Sequence, residues 1–475
     1  MKEYDIVVIG GGAGGLTVAA GAASLGAKVA LVEKQPLLGG DCLHYGCVPS
    51  KALINAARET YTMTKTANEL GLSLHGQSDI SIAMKRVKDA IAQIQDHDSK
   101  ERFERLGISI YRGIGKFEDQ HLVSIGDGRT IKGKRIVIAT GSSPNIPPID
   151  GLSSVPYLTN ETIFDLDHTP KRMLVIGGGP VGLEMAQAFA RFGTEVIVTE
   201  RGPALFKKED EEVARTIQSQ LEKELTIKYN TETTKVRRKD SEMEAVLESG
   251  GQKETITVDQ ILVAAGRKAN IASLNLEQIG VETSKGAIKV NQYLQSSIPT
   301  IFAIGDTNGT FPFTHAAGME GKLVVRNALF GIKGKVNYEN VPWVTYTDPE
   351  VFHLGETEEE AKTKYGNSIR TFTVDVKDTD RFAAEREDIG LVKIITDKKG
   401  KILGAHAVGK DAGDWMQEII FAKTIGKKIG SISSVIHPYP THGAILQQAA
   451  DLYWREKLFN GRIPKLTKKF IQWFR

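Results

Sequence analysis

Cysteine is almost absent, with two residues in 475, Cys42 and Cys47. That excludes the disulfide frameworks of small secreted proteins and a structural zinc ribbon, which needs four Cys ligands. Charge of one sign is missing too. Lys and Arg total 61 against 58 Asp and Glu, a formal net charge of +3, so no overall basic field points to nucleic acid. The balance hides one local excess. Residues 455–475 carry seven basic side chains (Arg455, Lys457, Arg462, Lys465, Lys468, Lys469, Arg475) and one acid, Glu456. Tryptophan is scarce, and all four (Trp343, Trp415, Trp454, Trp473) fall in the last third. With 41% hydrophobic and 25% charged residues, the composition is that of an ordinary globular protein and excludes a disordered or fibrous class. The length suggests about three domains.

Glycine is what the chain has in excess, 48 residues against a typical share of about 7%. Ile6–Ala27 is a charge-free run of 22 residues, long enough on length alone to cross a bilayer, yet seven of them are glycine. It lacks a basic leader and a convincing cleavage site. A buried strand, a glycine turn and a helix explain it better, and the expected location is the cytoplasm.

The same pattern recurs 167 residues later. IVVIGGGAGGLTVAAGAASLGAKVALVEK from Ile6 matches LVIGGGPVGLEMAQAFARFGTEVIVTER from Leu174. Gly10, Gly12 and Gly15 align with Gly177, Gly179 and Gly182, and Glu33 aligns with Glu200. Each copy reads as strand, G-x-G-x-x-G, helix, and a second strand ending in a carboxylate. The first glycine permits the tight turn, the second admits a pyrophosphate to the backbone, and the third lets the helix pack on the strand. The helix start offers free N–H groups to an anion, and the acid accepts from ribose hydroxyls. Two complete copies predict two dinucleotide sites. Between them, Ser50 to Glu104 reads as a helix pair, and RIVIATGSSP (Arg135–Pro144) as a buried strand with a glycine ending. QILVAAGRKAN (Gln260–Asn270) repeats that ending, and IFAIGDTNG (Ile301–Gly309) places Asp306 at a strand's carboxyl end. From Val341, runs such as GLVKIITD and KILGAHAVG suggest a separate α+β domain, and its Trp content suits a subunit interface.

Both cysteines fall in GGDCLHYGCVPSK. Positions five apart on a regular helix are rotated by about 140°, so bridging them needs a distorted turn, which Gly46 and Pro49 permit. Cys47 just precedes a helix expected near Pro49, whose dipole favours a thiolate. The favoured expectation is a redox-active disulfide. A partial metal site with His44, one ligand short of a closed zinc site, and two inert thiols stand as alternatives.

Paired nucleotide units with C-x-x-x-x-C between them resemble the pyridine nucleotide–disulfide oxidoreductases, the flavoprotein disulfide reductases. The resemblance runs through G-x-G-x-x-G, G-C-V-P-S-K, A-T-G, the second G-x-G-x-x-G, G-D and a final P-T. It implies an α/β fold with two doubly wound dinucleotide-binding domains and a C-terminal α+β dimerisation domain. The expected division is 1–150 for FAD and the disulfide, 151–270 for NAD(P)H, 271–340 returning to the FAD domain, and 341–475 forming a homodimer. By the same resemblance Cys47 stacks on the flavin, Cys42 exchanges with the acceptor, and Lys51 pairs with Glu184 beside the flavin. Cofactor contacts are implied at Gly10, Gly12, Gly15, Glu33, Lys51, Gly115, Thr140, Gly141 and Asp306, and at Gly177, Gly179, Gly182, Glu200 and Gly266. NADH is the expected donor with NADPH second, since Glu200 accepts from a free 2′-hydroxyl. No metal ligands are assigned.

One departure narrows the substrate. Glutathione- and lipoamide-type members carry His-Pro-Thr with a Glu three residues later, whereas this chain reads HPYPTHGA, with Tyr439 at the His position and Ala444 at the Glu position. A phenol of ordinary pKa about 10 is a poor proton shuttle at neutral pH. His437, two residues upstream, is the substitute candidate in a shifted register. The tyrosine and LEMAQAFARFG are most similar to mercuric reductases, but no cysteine follows Cys47 to deliver a metal ion. The expected acceptor is therefore a small molecule or soft metal ion. Dihydrolipoyl dehydrogenase is the alternative enzyme, and a flavin-based redox sensor or membrane-recruited binding protein the alternative of another class. In the tail, Leu466, Phe470, Trp473 and Phe474 share one helical face. Packing on the protein is the favoured reading, and contact with an anionic membrane surface the less favoured one.

Overall fold

Alternation along the first strand already dictates a layered architecture. In the computed structural model, which describes residues 1–76, 78–126, 128–459 and 463–474, Lys2–Ile9 is a strand with Ile6 to Ile9 all buried. Successive strand residues point to opposite faces, and they do so here. Ile6 and Val8 join one apolar core, Val7 and Ile9 another. A sheet buried on both faces needs cover on both.

That sheet runs Ser109–Arg112, Val29–Glu33, Lys2–Ile9, Thr130–Ile138, Leu122–Ser124, Lys116–Phe117, with Ile301–Ala303 also pairing with Thr130–Ile138. The central pairings are parallel and the last two strands antiparallel. Helices Ala13–Ser24 and Thr314–Phe330 pack together beside it. In the second copy, Arg172–Ile176 lies parallel between Glu195–Thr199 and Gln260–Val263, followed by helix Pro180–Arg191. An antiparallel sheet of Glu232–Lys239, Glu242–Ser249 and Gln252–Val258 adjoins it in sequence. The expected helix pair between Ser50 and Glu104 is three helices, Cys47–Glu69, Ile80–Gln95 and Lys100–Arg105.

The chain divides into two compact units, Met1–Arg201 with Ile227–Asn337, and Gly202–Thr226 with Tyr338–Arg475. The second is built on an antiparallel sheet ordered Pro342–Thr345, Glu350–Gly355, Ile402–Gly409, Leu391–Asp397, Ile369–Asp375. Phe352, Leu354, Val392, Ile394, Ala405 and Ala407 form one core face with helix Ala444–Phe459. Segment 202–226, which the sequence division assigns to 151–270, keeps company with this unit. Its helix Glu211–Glu224 buries Val213, Ile217 and Leu221, an i, i+4, i+8 stripe, and packs on Ile402–Gly409. At the end of the chain Ile463–Trp473 is helical, with Leu466, Phe470, Ile471, Trp473 and Phe474 exposed. Arg462 and Arg475 of the basic tail lie outside the described residues, as does the side chain of Lys465. Among the described residues no helix is long and apolar enough to cross a membrane.

Candidate active site

The two glycine turns are near-copies in geometry. Gly10 and Gly177 take φ +109° and +114°, conformations closed to most side chains. A Cβ on Gly15 would sit 1.9 Å from the Gly10 carbonyl oxygen, and one on Gly182 2.1 Å from that of Gly177. Both turns therefore need their third glycine for close approach. Gly12 and Gly179 are the extended N-caps of the following helices, neither with a side-chain cap. A Cβ at Gly179 would meet nothing within 4 Å, and one at Gly12 only the Gly40 Cα at 3.7 Å. The amino ends are thus left as bare N–H groups, fit for phosphate.

The strand-end acids close each turn. Glu33 Oε2 accepts from Gly11 N at 2.6 Å and Oε1 from Gln35 N at 2.7 Å. Glu200 Oε2 accepts from Gly178 N at 3.3 Å. Gly115 packs against Ile9, whose side chain a Cβ there would meet at 3.0 Å. Thr140 Oγ1 donates to Asn270 O, and Gly141 and Gly266 take φ +66° and +98° in the strand endings. Asp306 follows Ile301–Ala303 in a 3-10 turn and accepts from Ser142 Oγ.

The cysteines lie on two helices rather than one. Cys42 belongs to the short helix Gly40–His44, the chain turns at Gly46, and Cys47 opens the helix Cys47–Glu69. Helix formation thus starts two residues earlier than the Pro49 expected from the sequence. The turn at Gly46 is close-packed, since a Cβ there would lie 2.9 Å from an Asp41 carboxylate oxygen and 3.1 Å from the Asp41 carbonyl oxygen. Both cysteines are free thiols, the reduced form of the expected pair, and they hydrogen-bond to each other. Cys47 is pushed down to about 6, first by the bond from Cys42, then by Thr314 and the Lys51 charge, against the opposing effect of burial. Cys42 is pushed far up, first by that same bond to Cys47 and then by burial. The pair shares one proton, held on Cys42. Thr314 Oγ1, at the start of helix Thr314–Phe330, is 3.3 Å from Cys47 Sγ.

Lys51, one turn after Cys47, binds the buried Glu184 carboxylate at 2.8 Å. Sequence reasoning missed the polar frame beside them. Arg267 reaches Asp41 at 3.0 Å and donates to Ser142 Oγ at 2.7 Å, while Asn160 donates to Asp41 at 3.2 Å. The expected Tyr439 and His437 belong to the other unit. Tyr439, 78% exposed, donates to Asp380 at 2.7 Å, and that bond raises its phenol further. His437 Nε2 lies 2.8 Å from Glu418. His442 pairs with Glu385 at 3.2 Å.

Residues 4–321 match the family model described as pyridine nucleotide-disulphide oxidoreductase, and residues 341–450 match that family's dimerisation domain. The chain belongs to this family. Its cofactor is FAD and its electron donor NAD(P)H. It is 35% identical over 444 residues to a mercuric reductase of Bacillus cereus, covering 92% of this chain and 70% of that protein. Dihydrolipoyl dehydrogenase 1 of Arabidopsis thaliana is 34% identical over 457 residues, covering 94% and 90%. Among solved structures, the Cu(II) complex of the HOCl-induced flavoprotein disulfide reductase RclA of Escherichia coli aligns over 95% of this chain and 100% of that one. Its TM-score is 0.85 at 25% identity. In the unit that the family model spans, this pyridine nucleotide-disulphide oxidoreductase brings together a helix amino end at Gly12 with no side-chain cap, a carboxylate at Glu33 that accepts from Gly11 N, and the thiol pair.

Proposed function

We propose that the protein oxidises NADH, with NADPH the poorer donor, and delivers the electrons through Cys42 and Cys47 to a small acceptor, a soft metal ion or small oxidant. The observation that carries this reading is the thiol pair, with Cys47 biased to thiolate and Cys42 kept protonated. Bound FAD supplies two-electron transfer between the nicotinamide and the disulfide. Net reduction of the Cys42–Cys47 bond takes two electrons and one proton, and leaves Cys42 as thiol and Cys47 as thiolate. A two-electron acceptor at Cys42, or two one-electron ions such as Cu(II) in turn, restores the disulfide and releases that proton. Thr314 donates to Cys47 Sγ, and Lys51 adds positive charge that its bond to Glu184 keeps oriented. Glu33 and Glu200 accept from ribose hydroxyls.

Two observations favour a small acceptor over a dithiol. Tyr439 is raised by its bond to Asp380, which keeps its proton at neutral pH, and a structural neighbour binds Cu(II). The C-terminal unit is proposed to form the homodimer, in the cytoplasm where exposed thiols stay reducible. A second reading, dihydrolipoyl dehydrogenase, draws on the His437–Glu418 pair at 2.8 Å, a candidate acid–base dyad. NADH oxidation by the FAD-loaded protein with Hg(II), Cu(II), a quinone or lipoamide separates them. Metal or quinone turnover that is lost in Cys42→Ser supports the proposal. Faster lipoamide turnover that is lost in His437→Gln favours the second reading.

A further inference from the structure

On the C-terminal sheet, the face opposite the apolar core carries a row of four polar or aromatic side chains in register. Trp343 opposes His353, His353 opposes His406, and His406 opposes Lys393. His353 sits between Phe352 and Leu354, both in the core cluster, so alternation turns it to the far side. Directly opposed residues stand close enough for their side chains to meet, and the two imidazoles do so edge to face at 4.5 Å. Glu209, from the segment preceding helix Glu211–Glu224, comes over this row.

The nitrogens are sorted. His353 Nε2 is 2.8 Å from Gly355 O, and His406 Nε2 is 2.9 Å from Glu356 O. A carbonyl only accepts, so both Nε2 atoms carry hydrogen and both Nδ1 atoms are left to face inward. His353 Nδ1 meets Glu209 Oε2 at 2.9 Å. His406 Nδ1 is buried with no hydrogen-bond partner among the described residues, on a side chain with no solvent exposure. The other oxygen of Glu209 accepts from Trp343 Nε1 at 2.7 Å, and the Trp343 ring stacks on His353 at 3.5 Å.

We propose that Glu209, His353 and His406 form a binding site for a divalent transition-metal ion. Their three ligand atoms lie within 4.8 Å of one another. Ligands bound at about 2.0–2.2 Å stand roughly 3 Å apart around a common ion, which is the present Glu209–His353 spacing. A ligating imidazole ordinarily donates its far N–H to a backbone carbonyl or carboxylate, and both do. Two imidazoles and a carboxylate suit Zn(II), Co(II), Ni(II) or Cu(II), whereas Mg(II) and Ca(II) prefer all-oxygen sites. Local charge favours a dication. The single ammonium of Lys393 is already bound by Asp210 at 2.9 Å, Glu358 at 2.5 Å and Glu212 at 3.4 Å, and Glu209 adds a fourth acid. The ion would clamp segment 202–226 to the sheet.

The test uses the full-length FAD-loaded protein carrying Cys42→Ser and Cys47→Ser, so that thiolates cannot bind the metal. After chelator treatment it is titrated with Co(II), followed by visible d–d absorbance, and with Zn(II), followed by melting temperature. The expected result is one Co(II) per chain and a melting temperature raised by Zn(II). Glu209→Gln and His406→Gln should each weaken Co(II) binding more than about 100-fold. Trp343→Phe, which keeps all three ligands and an aromatic ring beside His353 but removes the bond to Glu209, should weaken it roughly 10–100-fold, the range of an outer-shell change. Absence of a Co(II) band with the triad intact, or an unchanged band in Trp343→Phe and Glu209→Gln together, would overturn the proposal.

Discussion

At Cys47 the protonation state is set by two near neighbours in the chain, Cys42 and Lys51, and by one distant residue, Thr314. A depressed pKa means the thiolate is populated above about 6 and lost as the pH falls through that value. Alkylation of Cys47 by iodoacetamide, followed by mass spectrometry, should therefore rise through about pH 6 and level off by neutrality. Cys42→Ala removes the largest stabilising bond and should move the profile toward the ordinary thiol value of about 8.5. A wild-type profile rising only near that value would contradict the geometry. Cys42→Ser is expected to retain FAD and lose acceptor turnover, read by flavin absorbance and NADH oxidation. The cysteines, turn glycines and strand-end acids were legible in the sequence because their chemistry depends on short, fixed spacings. Thr314, Arg267 and Asn160 were not, because each reaches the site across more than a hundred residues and carries no local signature. The Glu209, His353 and His406 cluster was hidden for the same reason: pairing register brings the two histidines together, and the segment before helix Glu211–Glu224 adds Glu209.

Elements built from short spacings were the easiest to anticipate. The paired strand–turn–helix units appear as expected, down to matched φ values at Gly10 and Gly177. Gly182→Ala would force a Cβ to within 2.1 Å of the Gly177 carbonyl. Overpacking of this kind costs about 1–3 kcal/mol, so KM for NADH should rise roughly 5–150-fold while FAD content stays normal. An unchanged KM, measured by steady-state kinetics, would show that the second turn does not hold the donor. The helix pair expected from Ser50 to Glu104 resolved into three helices because the second break, DHDS at 96–99, is only four polar residues and leaves little periodic signal. At the chain's end, Ile463–Trp473 shows four exposed apolar side chains, with Phe474 a fifth just beyond it, in the single chain. Truncation after Phe459 should weaken the dimer in sedimentation equilibrium and leave no difference in binding to anionic vesicles. An unchanged dimer with lost vesicle binding would assign the tail to membranes instead.

For the whole molecule, cofactor and fold stand in linkage. A ligand that binds only the folded state stabilises it by about 2.7 kcal/mol at a concentration of 100 Kd. Protein stripped of FAD should melt lower than the loaded form by differential scanning calorimetry, and readdition should restore it. Gly15→Ala, whose Cβ would fall 1.9 Å from the Gly10 carbonyl, should block that recovery. The antiparallel C-terminal sheet was anticipated in kind, but its claim on segment 202–226 was not. Nothing in the periodicity of Glu211–Glu224 says which sheet its buried stripe covers.

That claim has a consequence for how the chain can be divided. It passes from one compact unit to the other after Arg201, back after Thr226, and across again after Asn337. No single cut yields two whole pieces. Cleavage after Arg201 leaves the first unit without 227–337, and cleavage after Asn337 strands helix Glu211–Glu224 with its apolar side bare. Interleaving of this kind makes limited proteolysis a poor route to independent fragments, and recombination between relatives must exchange two separate stretches together to keep either unit intact.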